Sequence, residues 1–145
     1  RISFPILYMS GYFDEHRDEY RDALHSTDIS LKYEAWLKFF FASVSAQAKE
    51  TLELIRQINR LHGKIEGAVK DYKSPFVLPF LAYMFKQPVF YPSLVEAALG
   101  TTYIPVSRLI KLFEERGILS KSRNKEDKRM RVYTFSSLIK LLSDV

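Results

Sequence analysis

Apolar side chains recur every three to four positions through the first half of the chain, which is the period of an amphipathic helix. A first set predicts a helix with Ser10 as its N-cap and a break at residues 26–28. Its repeating positions are Tyr12, Phe13, His16, Tyr20 and Leu24. Ahead of it, residues 4–8 form a short extended apolar piece.

A second set predicts a long helix from about Tyr33 to Tyr72. Its apolar positions form one stripe at Trp36, Phe40, Val44, Ala48, Leu52, Ile55, Ile58, Leu61, Ile65, Val69 and Tyr72. A helix of this length, about 60 Å, exceeds one small core. We therefore expect it to break, to cross between domains or to pair with a partner helix. Trp36 with Phe39–Phe41 is expected in a core rather than as a platform for stacking bases.

The second half of the chain is punctuated by Pro and Gly. Ser74 and Pro75 are suited to the N-cap and first position of a helix that ends before Pro88. Pro79 either kinks this helix or marks its true start. The natural boundary between two domains therefore lies near residue 72.

Two short helices joined by a tight turn come next. A β-type run at 89–91 precedes Pro92, which begins the first helix, and Gly100 ends it. Thr101 and Thr102 are candidate N-caps for the second, which runs to Gly117. Its buried stripe is predicted at Val106, Leu109, Ile110 and Phe113. This arrangement is typical of a helix-turn-helix.

Two predicted strands follow, over 118–122 and 130–135, joined by a basic loop at 123–129. A last helix is predicted over 136–144. Helix-turn-helix, strand, loop and strand are the elements of a winged helix. The predicted fold is therefore mainly α, with a helical segment at 1–72 and a winged helix-turn-helix domain, including a small β-hairpin wing, at 73–145.

Charge is distributed unevenly along the 145 residues, whose formal net charge is +5. Residues 1–73 carry 11 basic and 11 acidic side chains, whereas residues 103–131 carry 9 basic and 4 acidic, a balance of +5. An excess of positive charge that is confined to the predicted recognition helix and wing indicates a polyanionic partner. Double-stranded DNA is the predicted partner.

The predicted DNA contacts follow from this layout. Arg108 and Lys111 are placed to reach base edges or phosphates from the recognition helix. Thr102, Tyr103 and Ser107 are placed near its start, where backbone amides favour phosphate. The wing adds cations for the DNA backbone or the minor groove, namely Lys121, Arg123, Lys125, Lys128, Arg129 and Arg131.

Two other interpretations stay open. In the first, the basic loop is a solvated hairpin whose charges only keep it soluble. In the second, the exposed face of the predicted recognition helix docks a protein, since winged helices also serve as protein-docking modules. Glu114, Glu115, Glu126 and Asp127 dilute the basic patch and keep the docking alternative open. The long helix is a candidate surface for a homodimer.

Composition and residue spacing argue against several classes of protein and of functional site. With 0 Cys there is no disulfide framework or thiol nucleophile. No apolar run approaches the roughly 18 residues of a membrane span, so a cytoplasmic chain without membrane contacts is expected. The acidic positions at 14, 15, 18, 19 and 22 favour a solvated ion-pair face over a metal site. His16, His25 and His62 share no ligand spacing, and neither a Gly-rich phosphate loop nor a G-x-S-x-G elbow occurs.

The first half also resembles a known family. The segments Pro5–Phe13, Arg17–Tyr20, Ala23–Leu24 and Glu34–Phe40 look like the C-terminal part of a Fic-domain protein of bacterial or archaeal type, in which a winged helix often follows. Met9, Arg21 and Tyr33 depart from the usual pattern.

The resemblance implies a parent protein that transfers AMP from ATP, with Mg²⁺, to a protein hydroxyl. The family signature H-P-F-x-x-G-N-G-R is absent, so no catalytic residue and no cofactor is assigned to this chain, and we do not expect it to be an enzyme. The chain begins with Arg1, so it is expected to be a piece of a longer protein. The predicted function is a DNA-binding module that regulates transcription or targets the parent adenylyltransferase. The alternative is a dimerisation or docking module that presents protein substrates to a Fic catalytic domain.

Overall fold

The computed structural model describes residues 9–30, 33–123 and 131–143. The chain forms two compact units, 1–56 and 57–145. The helices and strands follow in this order: α1 (Met9–Glu15), α2 (Arg17–Ser30), α3 (Glu34–Val69), α4 (Val77–Lys86), β1 (Val89–Phe90), α5 (Pro92–Leu99), α6 (Tyr103–Glu115), β2 (Ser120–Arg123), β3 (Arg131–Thr134) and α7 (Ser136–Ser143).

In the first unit, helices α1 and α2 follow each other end to end at His16. The hydrogen bonds from His16 N to Tyr12 O and from Tyr20 N to His16 O continue the helical pattern across it. The break predicted at 26–28 is wrong, since α2 continues to Ser30. Ser26 and Thr27 donate their hydroxyl protons to carbonyls three residues back, at 2.8 and 2.6 Å, and so remain within the helix. Ser10 is likewise inside α1 rather than at its N-cap.

An aromatic cluster holds this first unit together. The Phe39 ring of α3 lies 6.4, 5.7 and 6.0 Å from the rings of Tyr12, Phe13 and Tyr20. Ser43, one turn further on, is fully buried and donates its hydroxyl proton to Phe39 O at 2.7 Å. The buried face of α3 in this unit therefore runs through residues 39, 43 and 47.

The long helix is confirmed, but its predicted stripe is only partly buried. Ile65 and Val69 are 4% and 1% exposed. Earlier in the helix, Leu52 and Ile55 on the same stripe are 47% and 44% exposed, because the buried face there is the one centred on Ser43. Trp36 and Phe40 stack on each other, whereas Phe41 is 65% exposed, so placing Phe41 in a core is wrong.

The second unit has one core beneath a small sheet. Helix α4 begins at Val77, two residues after the predicted start at Pro75, and Pro79 falls in its first turn, where a missing N–H costs nothing. Phe80 lies at the centre, edge-to-face with Phe90 and Phe113 at centroid distances of 5.8 and 5.1 Å. The remaining buried core residues that the structure describes come from α3, α4, α5, α6, β3 and α7 and from two positions beside the strands: Ile65, Val69, Val77, Leu81, Met84, Val95, Val106, Leu109, Ile110, Leu119, Tyr133, Phe135 and Leu138.

The sheet has the antiparallel order β1-β3-β2. In its register, Tyr133 of the central strand lies opposite Phe90 on one side and opposite Lys121 on the other. Strand β2 begins at Ser120 rather than at Ile118, and β3 covers 131–134. Together with α4 to α7 these strands form a winged helix, so the predicted fold class is confirmed. The predicted domain boundary at 72 and 73 stays a prediction.

Candidate nucleic-acid interface

The turn between α5 and α6 is built by Gly100. Its φ of 59° and ψ of 37° are left-handed, a conformation that costs glycine nothing, and it ends α5 as predicted. Thr102 occupies the N-cap position of α6 with extended backbone, although its side chain makes no capping hydrogen bond. Three residues, 100–102, therefore join the two helices of the helix-turn-helix.

Helix α6 has one buried face that is wholly apolar. Val106, Leu109, Ile110 and Phe113 are between 0% and 3% exposed, as the predicted stripe requires. The other face carries Tyr103, Ile104, Arg108 and Lys111, all exposed. This is the solvent-exposed face of α6.

A cleft of about 500 Å³ separates the exposed face of α6 from the sheet. We call it the α6–wing cleft. Its lining residues are Pro92, Tyr103, Ser107, Ile110, Lys111, Glu114, Lys121, Arg131 and Tyr133. The sheet contribution follows from register, because Lys121 lies directly opposite Tyr133 and Arg131 is two residues before it, so all three share one face.

Three cations and one acid face the cleft. Lys111 makes an ion pair with Glu115 one turn on, at 3.7 Å between Nζ and Oε1, but both side chains are more than 60% exposed. Such exposed pairs are weak, about 0.3–0.5 kcal/mol, so this one does not prevent Lys111 from binding another anion. Lys121 and Arg131 are also exposed. Within the lining, Glu114 is the acid that opposes the positive potential.

Tyr133 lies at the back of the cleft, 5% exposed. Burial raises the pKa of its hydroxyl, and the negative charge of Glu114 adds to that, while a hydrogen bond with Arg131 opposes it. The ring stacks on Phe90 at 6.2 Å, which fixes the position of the hydroxyl. Tyr133 is therefore a neutral hydroxyl at physiological pH, able to donate to an anion.

The predicted contact residues are only partly brought together. Tyr103, Ser107, Lys111, Lys121 and Arg131 all line the α6–wing cleft. Arg108 lies outside it, beside a smaller cavity of about 230 Å³ that also contacts residues 72–76 and Pro105.

The remaining predicted contacts do not line the α6–wing cleft or lie outside the described residues. Thr102 is exposed at the start of α6 and lines neither cavity. Arg123 lies in β2, opposite Arg131 in the register. Lys125, Lys128 and Arg129 lie outside the described residues.

Four lining residues were not anticipated as contacts: Pro92, Ile110, Glu114 and Tyr133. From the sequence alone, Glu114 is only a negative charge that weakens the basic patch. Its position, seven residues after Ser107 and three after Lys111, places it on the same helix face as both. Tyr133 appears only as one residue of an alternating strand. The strand register, which places it opposite Lys121, is the signal that sequence alone lacks.

Metal-binding and membrane-spanning features are absent from the described residues. Across 9–30, 33–123 and 131–143, no group of three or more His, Cys, Asp or Glu side chains is arranged to hold a metal ion. Within those ranges, no helix has the length and apolar character needed to cross a membrane.

Comparisons with known proteins yield structural similarity alone. No family model and no curated protein matches the chain. Among solved structures, it is similar to a mutant of Lactococcus lactis ZitR, at 14% identity and a TM-score of 0.41, covering 63% of this chain and 71% of that one.

Two further similar structures are DNA complexes. One is a mutant of MarR from E. coli with operator DNA, at 14% identity and a TM-score of 0.42, covering 63% and 68% of the two chains. The other is reduced AbfR bound to DNA, at 15% identity and a TM-score of 0.41, covering 67% and 80%.

These comparisons contradict the Fic-domain resemblance, since no family model matches and the similar structures, ZitR, MarR, PefR, AbfR and AdcR, are not Fic-domain proteins. The physical reason lies in what the quoted residues do. Tyr12, Phe13 and Tyr20 surround Phe39 at helical spacing, a pattern that any helix packing against aromatic neighbours can produce. The adenylyltransferase parent was inferred from this resemblance alone, so it is not supported either. The class of protein that the described elements define is a winged-helix protein.

Proposed function

We propose that this chain is a regulator of transcription that binds double-stranded DNA through its winged helix. The observation that carries the proposal is the α6–wing cleft, where Lys111, Lys121 and Arg131 converge with the Tyr133 hydroxyl. Phosphate contacts of this kind supply most of the affinity of DNA-binding proteins. Such a role implies a cytoplasmic chain.

In this proposal, the first turns of α6 enter the major groove. Its exposed face offers Arg108 to a guanine or a phosphate, and the helix N-terminus with Thr102 and Ser107 favours phosphate oxygens. Lys111 reaches a base edge or the backbone. Arg108, which lies away from the cleft, then contacts a different part of the duplex from Lys121 and Arg131.

The wing completes the proposed contact. Lys121 is the second residue of β2, and Arg131 is the first residue of β3, opposite Arg123 at the end of β2. Lys125, Lys128 and Arg129, which fall between β2 and β3 in the sequence, would add positive charge for the backbone or the minor groove. With six or more neutralised phosphates, binding should weaken by roughly 10³-fold between about 50 and about 200 mM salt.

The proposed partner within the complex is a second copy of this chain. On α3, Leu37, Phe41, Leu52 and Ile55 are between 42% and 65% exposed. Their spacing places them on one helix face, with Val44 and Ala48 between them; we call this the α3 stripe. A homodimer through this stripe would carry two winged helices to two half-sites of a two-fold symmetric duplex.

Protein docking is the second candidate, and one observation favours it. Tyr103 and Ile104, at the start of α6, are 56% and 62% exposed, which is unusual for large apolar side chains on a surface that meets only phosphates. A protein partner would use these two residues and would be insensitive to the wing cations.

The test is binding to labelled duplex DNA measured by fluorescence anisotropy at about 50 and about 200 mM salt. Affinity that falls steeply with salt, and further with Lys121→Ala or Arg131→Ala, supports DNA binding. No measurable binding at the lower salt by a folded chain would refute it and leave protein docking as the better candidate.

A further inference from the structure

Ile104 is the feature of α6 that the charge pattern does not explain. It is the second residue of the helix and 62% exposed, whereas four other apolar residues of α6 are at most 3% exposed. Isoleucine has neither a charge nor a hydrogen-bonding side chain, so it contributes nothing to phosphate binding. An exposed β-branched side chain in the first turn of this helix needs a separate account.

The position of Ile104 on α6 is set by helix geometry. Arg108 is four residues further on and Lys111 seven, so all three lie on one face. Arg108 and Lys111 are themselves exposed. A surface that reaches Arg108 and Lys111 from outside the helix therefore also covers Ile104, and the cations around it favour a polyanion over an apolar protein surface.

We propose that Ile104 determines sequence specificity by packing against the C5-methyl group of a thymine in the major groove, an inference that rests on the proposed DNA binding. Each base pair shows a different pattern there, and the thymine methyl is the apolar element of that code. Arginine and lysine can read guanine or bind phosphate, but neither distinguishes thymine by its methyl group. An isoleucine beside them supplies that discrimination.

Pro105 fits this placement at the start of the helix. It is the third residue of α6, in the first turn, where a proline leaves no helical hydrogen bond unmade. Ile104 therefore lies in the first turn, with its side chain exposed.

The experiment begins with selection of bound duplexes from a random-sequence library by the wild-type chain. In the enriched duplex, each thymine is then replaced singly by deoxyuridine, which removes the methyl group and nothing else. Affinities are measured by fluorescence anisotropy for the wild type, Ile104→Ala, and Leu94→Ala. Leu94, on α5 and 43% exposed, is the matched control for loss of an exposed apolar side chain.

We expect one thymine in each half-site at which deoxyuridine weakens wild-type binding roughly fourfold, the value of one buried carbon. Ile104→Ala should lose that penalty, while Leu94→Ala and the conservative Ile104→Val should keep it. Circular dichroism confirms that each variant is folded.

Two results would overturn the inference in distinguishable ways. If duplexes are enriched but every thymine replacement affects the wild type and Ile104→Ala equally, Ile104 reads no methyl group, and the proposed DNA binding stands. If no duplex is enriched by the folded wild type, both fail together, and Ile104 with Tyr103 then belongs to a protein-docking surface.

Discussion

Arg116 donates two hydrogen bonds to Asp71, at 2.8 Å to Oδ1 and 2.9 Å to Oδ2. Arg116 is the C-cap of α6, and Asp71 lies two residues beyond α3. Both bonds come from one nitrogen, Nη2, and charge-assisted hydrogen bonds of this kind are stronger than neutral ones. Helix α6 is therefore attached at its C-terminal end to the end of α3, while Thr102, Tyr103 and Ile104 at its N-terminal end stay exposed.

The pair predicts how stability depends on acid. The hydrogen bond from Arg116, followed by a backbone hydrogen bond, lowers the pKa of Asp71 below its ordinary 3.8. A lowered folded-state pKa adds stability above the ordinary pKa, and that stability is lost as pH falls through the folded-state value. We expect Asp71→Asn to flatten the decline of Tm below about pH 4, measured by circular dichroism.

Arg116→Gln is the control for this prediction. Without the guanidinium, Asp71→Asn should change the acid dependence of Tm less than it does in the wild type, because the largest cause of the lowered pKa has been removed and the backbone hydrogen bond remains. The effect is small, since Asp71 is exposed and the pair is solvated. An acid limb equally steep in wild type and Asp71→Asn would contradict the prediction.

Phe80 gives a prediction about the core. It is fully buried and packs edge-to-face against Phe90 and Phe113. Phe80→Ala leaves a cavity among these rings, so we expect a loss of about 3–5 kcal/mol in the free energy of unfolding. Leu78→Ala in the same helix is the control, since Leu78 is 57% exposed and should change stability by less than about 0.5 kcal/mol. Urea unfolding followed by circular dichroism measures both, and equal midpoints would be inconsistent with a core centred on Phe80.

The winged helix was predictable because its signals are local. Pro92 starts α5, Gly100 ends it with positive φ, and the period-two run after residue 130 forms β3. Each of these depends on the backbone preferences of a few neighbouring residues. Tertiary packing could confirm such elements but was not needed to define them.

The errors came from positions whose role depends on residues far along the chain. The apolar stripe predicted along the long helix has regular helical spacing, yet periodicity cannot say which face of a helix its neighbours cover, and here Phe39 and Ser43 lie on the covered face. Tyr133 joins the cleft only because the register places it opposite Lys121. The family resemblance failed for a similar reason, since aromatic residues at helical spacing satisfy many different packings.

Removing a cation from the α6–wing cleft and removing its acid should have opposite effects on the affinity for duplex DNA. Lys121→Ala should weaken binding to all duplexes about equally and reduce the slope of log K against log salt by about 0.9, the value of one lost phosphate contact. Lys140→Ala removes the same charge from α7 and should leave the slope unchanged. Anisotropy titrations over a range of salt concentrations measure both slopes, and an unchanged slope for Lys121→Ala would remove Lys121 from the proposed contact.

Glu114→Gln should act in the other direction. It removes the acid that faces the three cations, so affinity for duplex DNA should rise by up to roughly fivefold at about 50 mM salt. The gain should shrink at higher salt, because added ions screen the repulsion that Glu114 exerts on phosphate. Anisotropy titrations at the two salt concentrations check this, and weaker binding by Glu114→Gln would show that Glu114 serves the site rather than opposing it.

If the α3 stripe forms the homodimer contact, a substitution there should abolish dimerisation without abolishing the binding of one chain to DNA. A charge at Phe41 would be buried without a partner in a dimer, so Phe41→Glu should yield monomers in sedimentation velocity. Ala42→Glu is the control, because it adds the same charge to the next, also exposed, residue on a different helix face. Phe41→Glu should lose affinity for a duplex with two half-sites, since two linked modules bind more tightly than one, but keep the wild-type affinity for a single half-site. A Phe41→Glu chain that sediments as the wild type does would exclude the α3 stripe as the dimer contact.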